Sequence, residues 1–120
     1  MGCWGSRVFQ NDTALDTLGN VIDYLRKVIN RDLRSAGTKS GSATLERPVA
    51  AAVAILAALA TEIPSARRCF TKGEVRQWEQ AYFQWFDRNL VPSAPVAFVK
   101  GCRKNEARQF NILLRYAYEG

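Results

Sequence analysis

The sequence predicts an all-α protein, and three observations carry this prediction. Apolar residues recur at steps of three and four along several stretches, which is the period of an amphipathic helix. No apolar–polar alternation typical of strands extends beyond four residues. Capping residues and prolines divide the chain at intervals suited to helices. We therefore expect residues 1–120 to form a single helical domain, a bundle of four to five helices around a buried alanine-rich helix.

The first helix is predicted to begin at Asn11 or Asp12, whose side chains suit a helix N-cap. Its apolar stripe covers about twenty residues, although Gly19 and Asn20 interrupt the pattern. Residues 35–45 are small and polar, so a flexible loop is expected there. The stripe consists of Leu15, Leu18, Ile22, Leu25, Ile29 and Leu33.

The second helix is predicted to start near Pro48, since proline suits the first helical turn, and to end at Pro64. Between them, residues 49–63 are nearly all apolar, and Glu62 carries the only charge. A helix that is apolar all round is typically buried. We expect this helix to lie at the centre of the bundle, where its many alanines permit close approach of its neighbours.

Thr71 and Glu74 match a capping box, in which each side chain satisfies a backbone donor of the other. A third helix with one broad apolar face is predicted to follow. Pro92 and Pro95 then interrupt the chain before a last helical region, which Gly101 either leaves whole or splits in two. The apolar face comprises Val75, Trp78, Tyr82, Trp85, Phe86 and Leu90. Such a face is usually core, but any exposed part of it would bind protein.

The first sixteen residues form a distinctive opening. Two glycines bracket Cys3 and Trp4, and the apolar pair Val8 and Phe9 follows. We expect this N-terminal aromatic segment to pack on the bundle, because burying Trp4 and Phe9 would contribute about 2–3 kcal/mol each.

The composition argues against most catalytic chemistry. The chain has no histidine, which removes Ser-His-Asp and Cys-His catalysis and the commonest metal ligand. It also has no glycine-rich motif for binding phosphate. We therefore expect no enzymatic activity, no cofactor and no metal site. The alternative is a metal-dependent hydrolase that uses Asp12 and Asp16, which share a helix face. A helix cap followed by a first-turn acid is the plainer interpretation.

Cysteine usage and hydropathy predict a cytoplasmic protein without membrane contact. Cys3, Cys69 and Cys102 are far apart and form no C-x-x-C pair, which fits a reducing compartment. The longest apolar run, residues 49–59, is too short to span a bilayer. The opening residues lack the pattern of a signal peptide.

The net charge of +6 is compatible with nucleic acid, an anionic membrane or an acidic protein as partner. The first helix has an acidic start and a basic end, which either complements the helix dipole or is recognised by a charged partner. Two basic pairs lie near aromatic residues, a combination suited to single-stranded nucleic acid. The candidate partner-binding residues are Asp12, Asp16, Asp23, Arg67, Arg68, Arg103 and Lys104.

The opening resembles a known family. The run Met1-Gly2-Cys3-Trp4-Gly5, then Phe9, Asn11-Asp12 and Ala14-Leu15-Asp16, is similar to the start of bacterial members of the family called domain of unknown function 4259. Small proteins with a Gly-x-Trp-Gly opening also resemble immunity proteins of bacterial toxin systems. That resemblance implies a protein that binds and neutralises a cognate toxin domain, with a nucleic-acid-binding module as the alternative. Immunity proteins against basic nucleases are usually acidic, and this chain is basic.

Overall fold

The computed structural model describes residues 12–38, 46–92 and 94–119. These residues form four α-helices: α1 (Asp12–Thr38), α2 (Glu46–Glu62), α3 (Lys72–Trp85) and α4 (Val96–Tyr116). A short 3₁₀ turn, Pro64–Arg68, precedes α3, and a π-helical turn, Phe86–Leu90, extends it. The described residues contain no strand beyond an isolated bridge, so the all-α prediction is confirmed. The predicted packing of the N-terminal aromatic segment lies outside the described residues.

The four helices form a ring in which α1 packs against α2 and α3, and α4 packs against the same two helices. Helices α1 and α3 are parallel, because Arg26 bonds to Glu74 and Asn30 bonds to Trp78, with the same offset of 48 positions. Helix α4 is antiparallel to α3. Its end meets the start of α3 where the Lys72 backbone amide donates to the Tyr118 carbonyl at 2.8 Å.

The predicted stripe of α1 is confirmed along its middle. Leu18, Ile22, Leu25 and Ile29 are buried, whereas Leu15 near the start is exposed. The helix also continues to Thr38, so the loop predicted to start at residue 35 begins too early. Extending an existing helix adds one hydrogen bond per residue without a new nucleus, so small polar residues are tolerated in its last turn.

The bounds predicted for α2 hold to within two residues, and the helix is buried along one face only. One face is buried, and the opposite face exposes Ala51, Ile55 and Ala58. Among the described helices, α2 packs extensively only against its ring neighbours α1 and α4, so none of them covers its outer side. The buried face comprises Val49, Ala52, Val53, Leu56, Ala57 and Ala60.

The predicted apolar face of α3 is core. Val75, Trp78, Tyr82 and Trp85 are buried, so this stripe offers no partner-binding patch. Half of the predicted capping box is present, since the Glu74 backbone amide donates to Thr71 Oγ1 at 3.2 Å, while the Glu74 carboxylate pairs with Arg26. Five aromatic rings from α3, the π-helical turn and α4 then pack with centroids 5.4–6.1 Å apart, namely Tyr82, Phe83, Trp85, Phe86 and Phe110.

Helix α4 is continuous through Gly101, so the alternative in which glycine splits this region is wrong. Glycine in a helix interior costs about 1 kcal/mol relative to alanine. The packing of Phe110 and Leu113, both fully buried, outweighs that cost. The start of α4 is set by Pro95 at the N-cap, where the backbone is extended.

The Arg26–Glu74 ion pair between α1 and α3 leads to a testable prediction. Arg26 Nε and Nη2 donate to the two Glu74 carboxylate oxygens at 3.0 and 2.8 Å. This hydrogen bond is the main reason that the pKa of Arg26 is raised, against an opposing effect of burial. A double-mutant cycle with Arg26→Met and Glu74→Gln is expected to give a coupling energy of about 0.5–1 kcal/mol, since both side chains retain some solvent contact.

The matched control is the more exposed Lys72–Glu119 pair. Its coupling, measured by the same urea unfolding, is expected to be smaller than that of Arg26 and Glu74. Equal coupling for the two pairs would contradict the role given to the bidentate geometry.

Candidate functional site

Arg67 is used within the fold. Its Nε donates to the Ala60 carbonyl at 2.7 Å and its Nη2 to the Thr61 carbonyl at 3.3 Å, at the end of α2 where helix carbonyls lack intrahelical partners. Its guanidinium also lies 4.0 Å from the centre of the Tyr116 ring. The predicted partner-binding residue Arg67 therefore ties α2 to α4, whereas its neighbour Arg68 is exposed.

Arg103 is likewise engaged by its own chain. It forms an ion pair with Asp87, and its guanidinium lies 5.1 and 5.0 Å from the ring centres of Phe83 and Phe86. Cation–π contacts of this kind hold the arginine against the aromatic cluster. The predicted pair Arg103–Lys104 is therefore divided, since Lys104 points to solvent on another side of α4.

The acidic candidates lie on α1. Asp16 and Asp23 are exposed on one face of the helix, seven residues or about 10 Å apart along the axis. Asp23 accepts a hydrogen bond from Arg26 Nη1 at 3.2 Å, so its charge is partly compensated. Helix α1 begins at Asp12, whose side chain lies outside the described part of the structure. Over the described ranges, no three His, Cys, Asp or Glu side chains come together as metal ligands.

Lys104 belongs to a longer basic surface on α4, which we call the α4 basic row: Lys100, Lys104, Arg108 and Arg115. Successive members are four, four and seven residues apart, so all four share one helix face, opposite the buried Phe110 and Leu113. The row extends about 22 Å. Each side chain is exposed, and no ion pair joins any of them to another described residue.

Three of these four residues, Lys100, Arg108 and Arg115, are not among the residues that the sequence pattern predicted to bind a partner. That prediction rested on adjacent basic pairs, whereas two neighbouring residues on a helix point in different directions. The spacing of four between Lys100, Lys104 and Arg108 was the signal that would have found the row.

The surroundings of the α4 basic row are partly apolar. In the described part of the chain, Ala107, Asn111 and Ile112 join Lys104, Arg108 and Arg115 around an open depression of about 540 Å³. Ile112 also borders a smaller groove of about 180 Å³ between α2 and α4. The row thus combines free positive charge with apolar contact area.

The described cysteines are Cys69 and Cys102, and no disulfide joins them. Burial raises the pKa of the Cys69 thiol, and the charge of Asp23 raises it further, while Arg26 opposes the shift. The thiolate is the reactive form of cysteine, so Cys69 is a poor nucleophile. Cys3 lies outside the described residues.

Two more observations concern the burial of polar side chains and the apolar length of the helices within the described ranges. No polar or charged side chain is buried there. No helix in these ranges has both the length and the apolar character needed to cross a bilayer.

Comparison with known proteins identifies a family and no individual relative. A family model described as domain of unknown function (DUF4259) matches residues 2–108. Neither the curated proteins nor the solved structures include a match to this chain. Because the family model spans most of the 120 residues, the chain belongs to the DUF4259 family.

Proposed function

We propose that this protein is a non-enzymatic protein-binding protein of the bacterial cytoplasm, and specifically an immunity protein that neutralises a cognate toxin domain by direct binding. The observation that carries the proposal is the α4 basic row, a charged surface that takes no part in holding the described helices together. Neutralisation by binding needs a complementary surface and no catalytic group, which suits a chain without histidine.

The distribution of positive charge over the surface supports the same proposal. Arg26, Arg67 and Arg103 are engaged within the chain, so the exposed α4 basic row contributes strongly to the field that an approaching partner meets. Electrostatic complementarity accelerates association and excludes partners of like charge. A net charge of +6 therefore favours a toxin domain whose docking surface is acidic.

The test is coexpression with the toxin domain encoded next to the gene of this protein. We expect the protein to restore growth of cells that produce the toxin and to copurify with it at constant stoichiometry. A neighbouring toxin that is neither bound nor neutralised would contradict the proposal. Asp12→Asn/Asp16→Asn tests the hydrolase alternative, which loss of a measurable hydrolytic activity in that variant would favour.

Nucleic-acid binding is the second candidate, because the same α4 basic row could contact phosphates. Binding through phosphates weakens steeply as salt increases. Affinity for single- and double-stranded probes is measured between 50 and 200 mM salt, values that bracket the steep range. No binding at the lower concentration would remove this candidate.

A further inference from the structure

The α4 basic row has a regular spacing that specifies the chemistry of a partner. Lys100, Lys104 and Arg108 follow one another at four-residue steps, about 6 Å apart along the helix axis. Carboxylates at four-residue steps on another helix have the same spacing. A row of Glu or Asp on a partner helix therefore matches the α4 basic row along its length.

The apolar residues beside the α4 basic row favour a protein over nucleic acid as the partner that binds there. Ala107 and Ile112 lie beside the charged side chains and line the same depression. Protein interfaces place apolar contacts inside a charged or polar rim. A phosphate backbone offers Ile112 no apolar surface to pack against.

We propose that the outer face of α4 is a docking surface for an acidic helix of a protein partner, with carboxylates against Lys100, Lys104 and Arg108 and an apolar side chain against Ile112. This inference rests on the proposed function and names the surface of the toxin domain that would be bound. Because the contact consists largely of exposed charges, the affinity of the partner helix should fall when those charges are reversed. The affinity should also fall as salt increases, since the Debye screening length is about 10 Å at 0.1 M salt.

The test compares two double variants. Lys104→Glu/Arg108→Glu reverses two members of the α4 basic row, and Lys27→Glu/Arg34→Glu reverses two exposed residues on the solvent face of α1. Each reversal changes the charge by two, so both variants fall from +6 to +2. Neither pair of residues is buried, and circular dichroism with thermal unfolding checks that both variants remain folded.

The probe is a 21-residue helical peptide with Glu at every fourth position of one face and Leu beside it. A second peptide with Gln in place of Glu, and a 21-base-pair DNA duplex, serve as comparison probes. We expect the natural chain and the α1 variant to bind the Glu peptide within about threefold of each other, and the α4 variant to bind about tenfold more weakly. The Gln peptide is expected to bind weakly to all three chains.

Three outcomes would overturn the inference. Equal loss of Glu-peptide binding in both variants would show that net charge alone matters. No binding of the peptide by the natural chain, or tighter binding of the DNA duplex that is lost in the α4 variant, would remove the acidic helix as occupant.

The toxin coexpression assay separates this inference from the proposed function. If the α4 variant still neutralises the toxin domain, the docking surface is wrong and the function stands. If the natural chain fails to neutralise the toxin, the function is wrong, and the peptide comparison alone decides the surface.

Discussion

Replacing Trp78 with alanine is expected to lower the free energy of unfolding by about 3–5 kcal/mol. The Trp78 side chain is 2% exposed, so its removal deletes apolar contacts and leaves a cavity between α1 and α3. It also removes the hydrogen bond from Trp78 Nε1 to Asn30 Oδ1, which is 2.8 Å long. Since the free energy of unfolding of a domain of this size is about 5–15 kcal/mol, this one substitution would remove a large part of it. Urea unfolding followed by far-ultraviolet circular dichroism measures the change.

Two further variants separate the contribution of the hydrogen bond from that of burial to the loss of stability. Trp78→Phe keeps an aromatic ring but loses the donor to Asn30, and is expected to cost about 1–3 kcal/mol. Phe98→Ala is the exposed aromatic control on α4, because its side chain is 49% exposed, and it should cost less than about 1 kcal/mol. Similar losses for Trp78→Ala and Phe98→Ala would contradict the placement of Trp78 in the core.

Replacing Ala60 with leucine is expected to destabilise the protein by about 1–3 kcal/mol. Ala60 lies on the buried face of α2 and is fully inaccessible to solvent. Leucine there adds three carbon atoms to a close-packed interior, and neighbouring helices must separate to admit them. Thermal unfolding and urea unfolding both report the change.

Ala51→Leu is the matched control on the same helix. Ala51 is exposed, and leucine has a helix propensity close to that of alanine, so the change should be within about 0.5 kcal/mol. If Ala51→Leu destabilises as strongly as Ala60→Leu, α2 is covered on both faces, and the one-sided burial described above is incorrect.

The candidate site was predicted less completely than the fold. Arg67 and Arg103 were predicted to bind a partner because each stands next to another basic residue and near aromatic residues in the sequence. In the structure Arg67 is engaged by the Ala60 and Thr61 carbonyls and by the Tyr116 ring. Arg103 is engaged by its ion pair with Asp87 and by the rings of Phe83 and Phe86. Lys104, also predicted to bind a partner, is exposed on α4, but its companions on that helix became apparent only from the helix geometry.

The sequence by itself determined where the helices lie. The steps of three and four in α1 and α3, Pro64 after α2, and Pro95 before α4 act through local backbone geometry and side-chain periodicity. These effects need no knowledge of the rest of the chain.

Only the tertiary structure decided which faces of those helices are buried and which charges are free. Residues 49–63 are nearly all apolar, and the local pattern offered no reason to expose Ile55, which is 48% exposed. That outcome follows from the ring of four helices, which covers α2 on its inner side alone. In the same way, Arg103 and Lys104 are adjacent in sequence, yet one packs on an aromatic cluster and the other points to solvent, because partners for a charge come from distant parts of the chain.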